Sequence, residues 1–324
     1  MYKDNPVVTA VIPTRNRPEL VVRAVRSALA QTFPNLEVLV VVDGDDPYTV
    51  AALNAVALSD GRVRIVQLET SVGGAEARNV GVRAARGKWI ALLDDDDEWL
   101  PEKIHSQLSR AISSGSDRNL IVSRYICRSA TAADRIRPRR LPRSGEAICE
   151  YMFDVLCYFQ TSTFFCSRAL LLEVPFQKTM AGFQDIDWFL RVNSHPGVGL
   201  IALTEVLSVY YAPEERASIT SGLGWEKRLG WGLANRTLMT RRAYSRFIVG
   251  SCVGRAVEEK AGWRGMWRLF REYTSGMPTL TGTLLLFGMF AVSPPLRRRI
   301  RNTFFLSSSE TAVRPVSQTL SAGL

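Results

Sequence analysis

Four consecutive carboxylates follow an apolar run in the segment "IALLDDDDEWLPEKI", residues 90–104. Like charges side by side repel, so Asp94 to Asp97 need a compensating partner. Clustered carboxylates in a loop favour a hard divalent cation, Mg²⁺ or Mn²⁺, which commonly joins a protein carboxylate to a diphosphate. The alternative is an acidic start to the helix expected from Pro101, where the helix dipole favours negative charge. Four acids directly at the end of a buried strand favour the metal site.

Two other polar clusters follow apolar runs in the same way. "PTRNR", residues 13–17, comes after the first run, and "DGDD", residues 43–46, comes after the second. In parallel α/β sheets, ligands bind outside the carboxyl ends of the strands. The three clusters are therefore predicted to converge on one crevice.

The elements that would position these clusters alternate along the first hundred residues. Short, β-branched apolar runs predict buried strands, and apolar residues at helical spacing predict helices between them. The strands are expected at residues 7–12, 36–42, 63–68 and 88–93, and the helices from Pro18 and over residues 74–85. This alternation predicts an α/β fold, a mainly parallel sheet with helices on both faces.

The pattern is looser from about Gly115. Residues 134–143, "DRIRPRRLPR", predict a mobile arginine loop interrupted by proline. A helical run is expected at 145–158, and two closing strands at 198–203 and 206–211. Residues 182–192, "GFQDIDWFLRV", predict a helix with Asp185 near its amino-terminal end.

Four of these segments carry a resemblance to a known family. They are "VTAVIPTRNRPELVVRAVRSALAQTF", "VLVVVDGDD", "GGAEARNVGVRAARGKWIALLDDDDEWLPEKI" and "QDIDWFLR". Their order and spacing resemble those of family 2 glycosyltransferases of the GT-A fold, over about residues 7–210. The resemblance implies a Rossmann-like nucleotide-binding half. It also implies transfer of a sugar from a nucleoside diphosphate donor with inversion at the anomeric carbon, assisted by Mn²⁺ or Mg²⁺.

The resemblance also implies roles for individual residues. Pro13 and Thr14 match the segment that lines the base and ribose, Asp43 matches an acid that accepts a hydrogen bond from the base, and Arg78 matches a basic residue beside the nucleotide. Asp94 and Asp96 match the metal-binding D-x-D pair, with slips to Asp95 or Asp97 left open. The expected nucleotide-sugar-binding residues are Pro13, Thr14, Arg15, Asn16, Arg17, Asp43, Arg78, Asp94 and Asp95.

Asp185 matches the family's general base, which must be ionised to deprotonate an acceptor hydroxyl. Its alternative role is a helix N-cap, a common use of aspartate. Gln184 stands where the family usually has a glutamate, which removes one charge from the acceptor site. Asp187 is expected to pair with Arg191 at i+4. The two histidines, His105 and His195, are expected at the surface.

Composition limits the class and compartment of the protein. With 324 residues, 46% of them hydrophobic, the chain can bury a full core in one large domain or two. Five cysteines without CxxC spacing predict reduced thiols, with no disulfide and no zinc site. Residues 1–8 lack the pattern of a signal peptide, which predicts a cytoplasmic protein.

The basic excess lies in the last third of the chain. The net charge is +10, and residues 216–324 hold 17 Lys and Arg against 5 Asp and Glu. Residues 279–292 are apolar but shorter than the roughly 20 that span a bilayer, and four arginines follow them: Arg297, Arg298, Arg299 and Arg301. This favours contact with an anionic membrane, at the cytoplasmic face of the inner membrane, over a buried core helix with a solvated basic end.

The expected organisation is therefore a nucleotide-sugar half at residues 1–115, an acceptor half at 116–215, a basic helical extension at 216–306 and a disordered tail at 307–324. The leading function is glycosyl transfer to a surface or lipid-linked glycan. A basic nucleic-acid-binding protein is the rival from another class, but no nucleic-acid module is recognisable and the acidic crevice would be unexplained. A nucleotidyltransferase and an inactive scaffold are less favoured, and no nucleic-acid partner is expected.

Overall fold

The computed structural model describes residues 5–154, 157–178, 180, 182–212 and 222–291. The strands are β1 (Val8–Thr14), β2 (Leu36–Val42), β3 (Val63–Gln67), β4 (Trp89–Leu92), β5 (Glu98–Trp99), β6 (Asn119–Ser129), β7 (Ala132–Arg137), β8 (Phe165–Ser167) and β9 (Gly199–Tyr211). The helices are α1 (Pro18–Leu29), α2 (Pro47–Ser59), α3 (Gly74–Ala84), α4 (Lys103–Ser113), α5 (Ile148–Met152), α6 (Arg168–Glu173), α7 (Gln184–Asn193), α8 (Trp225–Ala234), α9 (Arg241–Phe247), α10 (Gly254–Glu258), α11 (Gly262–Ser275) and α12 (Leu280–Ala291).

The first half of the sheet is parallel, in the order β3-β2-β1-β4. Every residue of β1, β2 and β4 is buried, as expected for strands covered on both faces. β2 occupies the predicted residues 36–42. The register pairs Thr14 with Val42, so the polar segments that follow these two strands begin side by side.

Successive side chains of β1 enter two different cores, because residues along a strand alternate between its faces. Val8, Ala10 and Ile12 join a core with α1, α2 and α4. Val11 joins the core on the opposite face, with α3, α5, α6 and α7. The prediction of helices on both faces of a mainly parallel sheet is confirmed.

The second half of the sheet departs from the prediction. The sheet continues β4-β8-β6-β9-β5, with β7 beside β6, and the pairs of β8, β7 and β5 are antiparallel. The two closing strands expected at 198–203 and 206–211 are the single strand β9. Its pairing with β6 skips from Ala202 to Val206 and then continues, so the irregularity is a bulge rather than a strand end.

Three further expectations are corrected. The arginine loop predicted at 134–143 begins as strand β7, whose Arg137 pairs with Tyr125 of β6. The helix predicted over 145–158 is reduced to α5. The helix after the aspartates begins at Lys103 rather than at Pro101. Strand β5 lies between the aspartates and this helix and pairs with β9. This pairing removes the aspartates from any helix start.

The last helices form a third core around Phe247 and Leu269, which joins α7 through the buried Phe183. No helix of the described residues is long and apolar enough to cross a membrane. α12 covers part of the predicted segment 279–301. Arg297 to Arg301 and the tail predicted at 307–324 lie outside the described residues.

Candidate functional site

A cleft of about 580 Å³ opens at the carboxyl ends of β1, β2 and β4, a volume typical of small-molecule sites. All three polar clusters contribute to its walls, as the sequence predicts. The second half of the chain closes it with side chains from β6, β9, α7 and the segment after α5. The predicted site residues that line the cleft are Pro13, Thr14, Arg15, Arg17, Asp43, Arg78, Asp94, Asp95, Asp96 and Asp185.

The four aspartates divide into two kinds. Asp94, Asp95 and Asp96 face the cleft, whereas Asp97 is fully buried. Ser162 Oγ donates to Asp97 Oδ2 at 2.5 Å, and the Tyr211 backbone N–H donates to its other oxygen at 3.4 Å. Burial, with the charges of Asp94 and Asp96, raises the pKa of Asp97 well above its usual value. Asp97 therefore joins β9 to the aspartate segment and does not face a ligand.

Arginines supply part of the compensation that the aspartates need. Arg17 Nη1 lies 2.8 Å from Asp95 Oδ1 and 3.2 Å from Asp96 Oδ2, and Thr14 Oγ1 donates to Asp95 at 2.8 Å. Burial lowers the pKa of Arg17, but the charges of Asp95 and Asp96 raise it by more than burial lowers it. The guanidinium therefore stays charged. Removal from water and the charges of Asp94 and Asp95 raise the pKa of Asp96 to about 6.

Arg78 connects the aspartates to helix α7. Its Nη2 donates to Asp94 Oδ1 at 2.5 Å, and its Nη1 donates to Gln184 Oε1 at 3.1 Å. Burial lowers its pKa, but Asp94 outweighs that effect and the pKa is raised. A charged guanidinium thus links the end of β4 to the start of α7.

Asp43 is largely engaged by its own chain. It accepts hydrogen bonds from Val72 N–H at 2.6 Å, from Gly73 N–H at 3.0 Å and from Ser71 Oγ at 2.8 Å. A carboxylate offers about four acceptor positions, so these three leave one for a ligand. Arg15 donates to the same Ser71 Oγ at 2.8 Å. The loop after β3 is thereby fixed against the cleft.

Asn16 differs from the other predicted binding residues because it is not part of the cleft wall. Its backbone has a φ of 54°, in the left-handed region, and its N–H donates to Asp46 Oδ2 at 2.6 Å. Asp46 also caps α2 through Thr49 N–H at 3.1 Å. Asn16 therefore shapes the turn that carries Arg15 and Arg17 into the cleft.

Asp185 lines the same cleft from the start of α7. Phe183, with a φ of 58°, occupies the N-cap position of α7, so Asp185 is the second helical residue and not the cap. The Tyr158 hydroxyl donates to its Oδ2, and Ile186 N–H donates to its Oδ1 at 2.8 Å. Two residues on, Asp187 is buried and pairs with Arg191 at 2.7 Å, as predicted.

Sequence reasoning missed an aromatic wall of the cleft. Four tyrosines line it, from β6, from β9 and from the segment after α5: Tyr125, Tyr158, Tyr210 and Tyr211. Tyr125 and Tyr210 pack edge to face, with ring centroids 6.2 Å apart. No spacing pattern marks these tyrosines in the sequence, because Tyr125 meets Tyr210 and Tyr211 only through the pairing of β6 with β9, and Tyr158 comes from a third segment.

The histidines lie away from the cleft. His105 is exposed on α4, as predicted. His195 is half-buried rather than fully at the surface, with Nε2 3.5 Å from Glu173 Oε1 and Nδ1 3.2 Å from Arg118 Nη2. Neither is placed for proton transfer at this site.

The predicted role of Asp185 as a general base gives a pH prediction. Burial raises the pKa of Asp185, hydrogen bonds from Tyr158 and Ile186 lower it, and the result lies above the usual carboxyl value. A base works only when deprotonated, so kcat should fall as pH drops through this pKa, at a pH above the ordinary value of about 3.9. Tyr158→Phe removes a donor that lowers the pKa, so the acid limb should move to higher pH. An unchanged pH profile of kcat, or a limb moved to lower pH, would contradict this role.

The carboxylates of the cleft suit a divalent cation only if a bound ligand supplies the remaining oxygen atoms around the metal. Carboxylate oxygens are the donors that Mg²⁺ and Mn²⁺ prefer, and Asp96 keeps 38% of its side chain exposed. Within the ranges that the structure describes, no three His, Cys, Asp or Glu side chains are grouped to hold an ion by themselves. That fits Mg²⁺, which proteins commonly bind through one or two carboxylates plus phosphate oxygens.

Comparison with known proteins gives the family. The model described as "Glycosyl transferase family 2" matches residues 9–176, more than half of the chain. The amylovoran biosynthesis glycosyltransferase AmsB of Erwinia amylovora is 27% identical over 239 residues, covering 72% of this chain and 79% of that protein. The UDP-Glc:alpha-D-GlcNAc-diphosphoundecaprenol beta-1,3-glucosyltransferase WfgD of Escherichia coli is 32% identical over 111 residues, 34% of this chain and 43% of that protein.

A solved structure extends the comparison to the fold. The mannosyltransferase PcManGT of Pyrobaculum calidifontis, in complex with GDP-Man and Mn²⁺, is similar with a TM-score of 0.54 and 16% identity, covering 94% of this chain and 81% of its own. The resemblance seen in the sequence is confirmed. The chain belongs to glycosyl transferase family 2 and has the GT-A fold.

Proposed function

We propose that this protein is a metal-assisted, inverting glycosyltransferase that moves a sugar from a nucleoside diphosphate sugar to a hydroxyl of a lipid-linked or surface glycan. One observation carries the proposal. Two sets of side chains line a single cleft: the first is the aspartates and arginines Asp94, Asp95, Asp96, Arg17 and Arg78, and the second is Asp185. The first group suits a diphosphate and a cation, and the second suits an attacking hydroxyl.

On the donor side, residues at the carboxyl ends of β1 and β2 hold the nucleotide. Pro13 and Thr14 lie against the base and ribose, and Asp43 uses its remaining acceptor position for the base. Arg17 and Arg78 face the diphosphate, because the guanidinium fork matches phosphate oxygens in pairs. Asp94 and Asp96 would hold Mn²⁺ or Mg²⁺, which would supply charge stabilisation to the departing diphosphate.

On the acceptor side, Asp185 accepts the proton of the attacking hydroxyl. Tyr158 holds one carboxylate oxygen and Ile186 N–H holds the other, which fixes the direction of proton transfer. Attack from the face opposite the diphosphate inverts the anomeric carbon and needs no covalent sugar–enzyme intermediate. The tyrosine wall comes from residues 116–215, which we assign to the acceptor, and residues 1–115 to the donor.

The acceptor class is proposed from the relatives and from charge. WfgD is named for an acceptor sugar on a diphosphoundecaprenol, and we infer an acceptor of that class here. Gln184 hydrogen-bonds Arg78 and adds no negative charge there, so the site carries one carboxylate fewer to repel a diphosphate-bearing acceptor. Such acceptors reside in membranes, and we place the enzyme at the cytoplasmic face of the inner membrane.

The test is a transfer assay with UDP-, GDP- and dTDP-sugars, Mn²⁺ and a polyprenyl diphosphate sugar as acceptor. We expect one donor to release its nucleoside diphosphate only when the acceptor is present. Proton NMR of the product should show the anomeric configuration inverted relative to the donor. Retained configuration, or no transfer from a donor whose nucleotide binds, would contradict the proposal.

A further inference from the structure

Exposed apolar side chains are concentrated at one end of the described chain. Of the 14 large hydrophobic residues that are exposed among the described residues, 8 lie between residues 263 and 287. Two of them are tryptophans, Trp263 at 75% and Trp267 at 57% exposure. The others are Phe270, Met277, Leu280, Leu284, Leu285 and Phe287. So dense a group exceeds the scattered exposure normal for a protein surface.

These side chains form a strip on α11 that continues onto α12. Trp263, Trp267 and Phe270 recur at i, i+4 and i+7, which places them on one side of α11, while Leu269 and Tyr273 of the same helix are buried in the third core. A groove of about 780 Å³ runs beside the strip, with Leu286 of α12 also in its wall. We use the name apolar face for this surface, which comprises the exposed strip of α11, the groove and the exposed face of α12.

An arginine strip runs along α11 next to the apolar face. Arg264, Arg268 and Arg271 also recur at i, i+4 and i+7, and all three are exposed. Within the described residues none of them has a carboxylate partner, and Arg264 lies over the Trp263 ring at 5.5 Å. The nearby acids are already paired: Glu258 and Glu259 with Arg255, and Glu272 with Arg236.

We propose that the apolar face and the arginine strip dock this protein onto an anionic lipid bilayer, with α11 lying in the interface. Tryptophan is enriched at the headgroup level of membranes, and an amphipathic helix with a basic polar face binds anionic lipid surfaces. α11 has 14 residues, fewer than the roughly 20 that span a bilayer, so we place this helix along the membrane surface. The sequence predicts membrane contact for residues 279–301, and the proposal adds α11 to that segment. It does not depend on the proposed catalysis.

A bilayer fits this surface better than a second copy of the chain. In a two-fold dimer the same patch meets itself, which would bring the unpaired arginine strips of both copies to one interface. Charged residues are depleted at the centre of protein interfaces. Anionic headgroups, by contrast, compensate the arginines while the acyl region covers the tryptophans.

The experiment is co-sedimentation of the full chain with phosphatidylcholine vesicles, with and without phosphatidylglycerol, at low salt. The wild type should bind the anionic vesicles far more tightly than the neutral ones. Arg264→Gln with Arg268→Gln should weaken anionic binding about fivefold per charge. Trp263→Ser with Trp267→Ser should weaken it at least about tenfold. The controls are Arg110→Gln and Leu58→Ser, exposed positions on α4 and α2, which should bind as wild type.

Failure of the wild type to bind anionic vesicles would overturn the proposal, as would equal losses in the control variants. Lipid-free self-association that the tryptophan variant abolishes, without vesicle binding by the wild type, would make the face an interface between copies instead. The arginine variant keeps the test available if the tryptophan variant does not fold. Nucleotide binding should be unchanged in every variant, so loss of membrane binding and failure of the proposed function are separate results.

Discussion

Asp185→Asn should lower kcat by roughly 10²–10⁴-fold, the usual loss when a positioned general base is removed. The amide keeps the size of the side chain, and its one oxygen can still accept the hydrogen bond of either Tyr158 or Ile186, which now bond different oxygens, but it cannot take up a proton at neutral pH. Donor binding should survive, because the hydrogen-bond partners of Asp185 are Tyr158 and Ile186, neither of which is assigned to the nucleotide. The measurement is steady-state transfer together with calorimetric titration of the nucleoside diphosphate.

The control for this variant is Asp117→Asn, which removes an exposed carboxylate outside the cleft. It should leave both kcat and nucleotide binding close to wild type. If Asp185→Asn loses nucleotide binding and turnover together, Asp185 organises the donor site and is not the base. If its kcat is unchanged, another group accepts the proton.

The second large effect is expected from Asp96→Ala. Of the four consecutive aspartates, Asp96 has the carboxylate that stays most available for a ligand, since its contact in the described residues is a 3.2 Å pair with Arg17. Removing it should weaken metal-dependent nucleotide binding at least about tenfold, or about 1.4 kcal/mol. The titration is repeated with chelator, where wild type and variant should differ little, because the lost interaction passes through the metal site.

Its matched control is the neighbouring Asp97→Asn. Asp97 is buried and accepts from Ser162 and Tyr211, and asparagine retains an acceptor oxygen there. Metal-dependent affinity should stay near wild type, whereas the free energy of unfolding is the quantity that can change. Loss of metal-dependent affinity in Asp97→Asn, with Asp96→Ala binding as wild type, would place the metal pair one position further along the chain, at Asp95 and Asp97.

The parallel half of the fold could be predicted from sequence because its signals are local. Strand β2 matches the predicted residues 36–42, since a strand buried on both faces is one unbroken apolar run between turn residues. β7 could not be predicted in this way. Arg135 and Arg137 favour a solvated loop by composition, and only pairing with Cys127 and Tyr125 of β6 makes the segment a strand.

The candidate site likewise contains residues that local patterns predict and residues that only tertiary packing places. Polar clusters that directly follow strands, such as Thr14 to Arg17 and Asp94 to Asp96, could be placed by the rule for strand ends. Partners from distant segments could not. Ser162 lies 65 positions from Asp97, and Tyr158 lies 27 positions from Asp185. Their roles depend on tertiary packing, which no local pattern records.

The most direct test of the central claim is calorimetric titration of the full chain with UDP, GDP and dTDP, each in Mn²⁺ and in chelator. The proposed donor site predicts that one of the three binds in Mn²⁺ and is weakened strongly by chelator. That result would also identify the nucleotide base that Pro13 and Asp43 select. Absence of binding by all three in Mn²⁺, or equal binding in Mn²⁺ and chelator, would contradict a metal-assisted nucleotide-sugar site in this cleft.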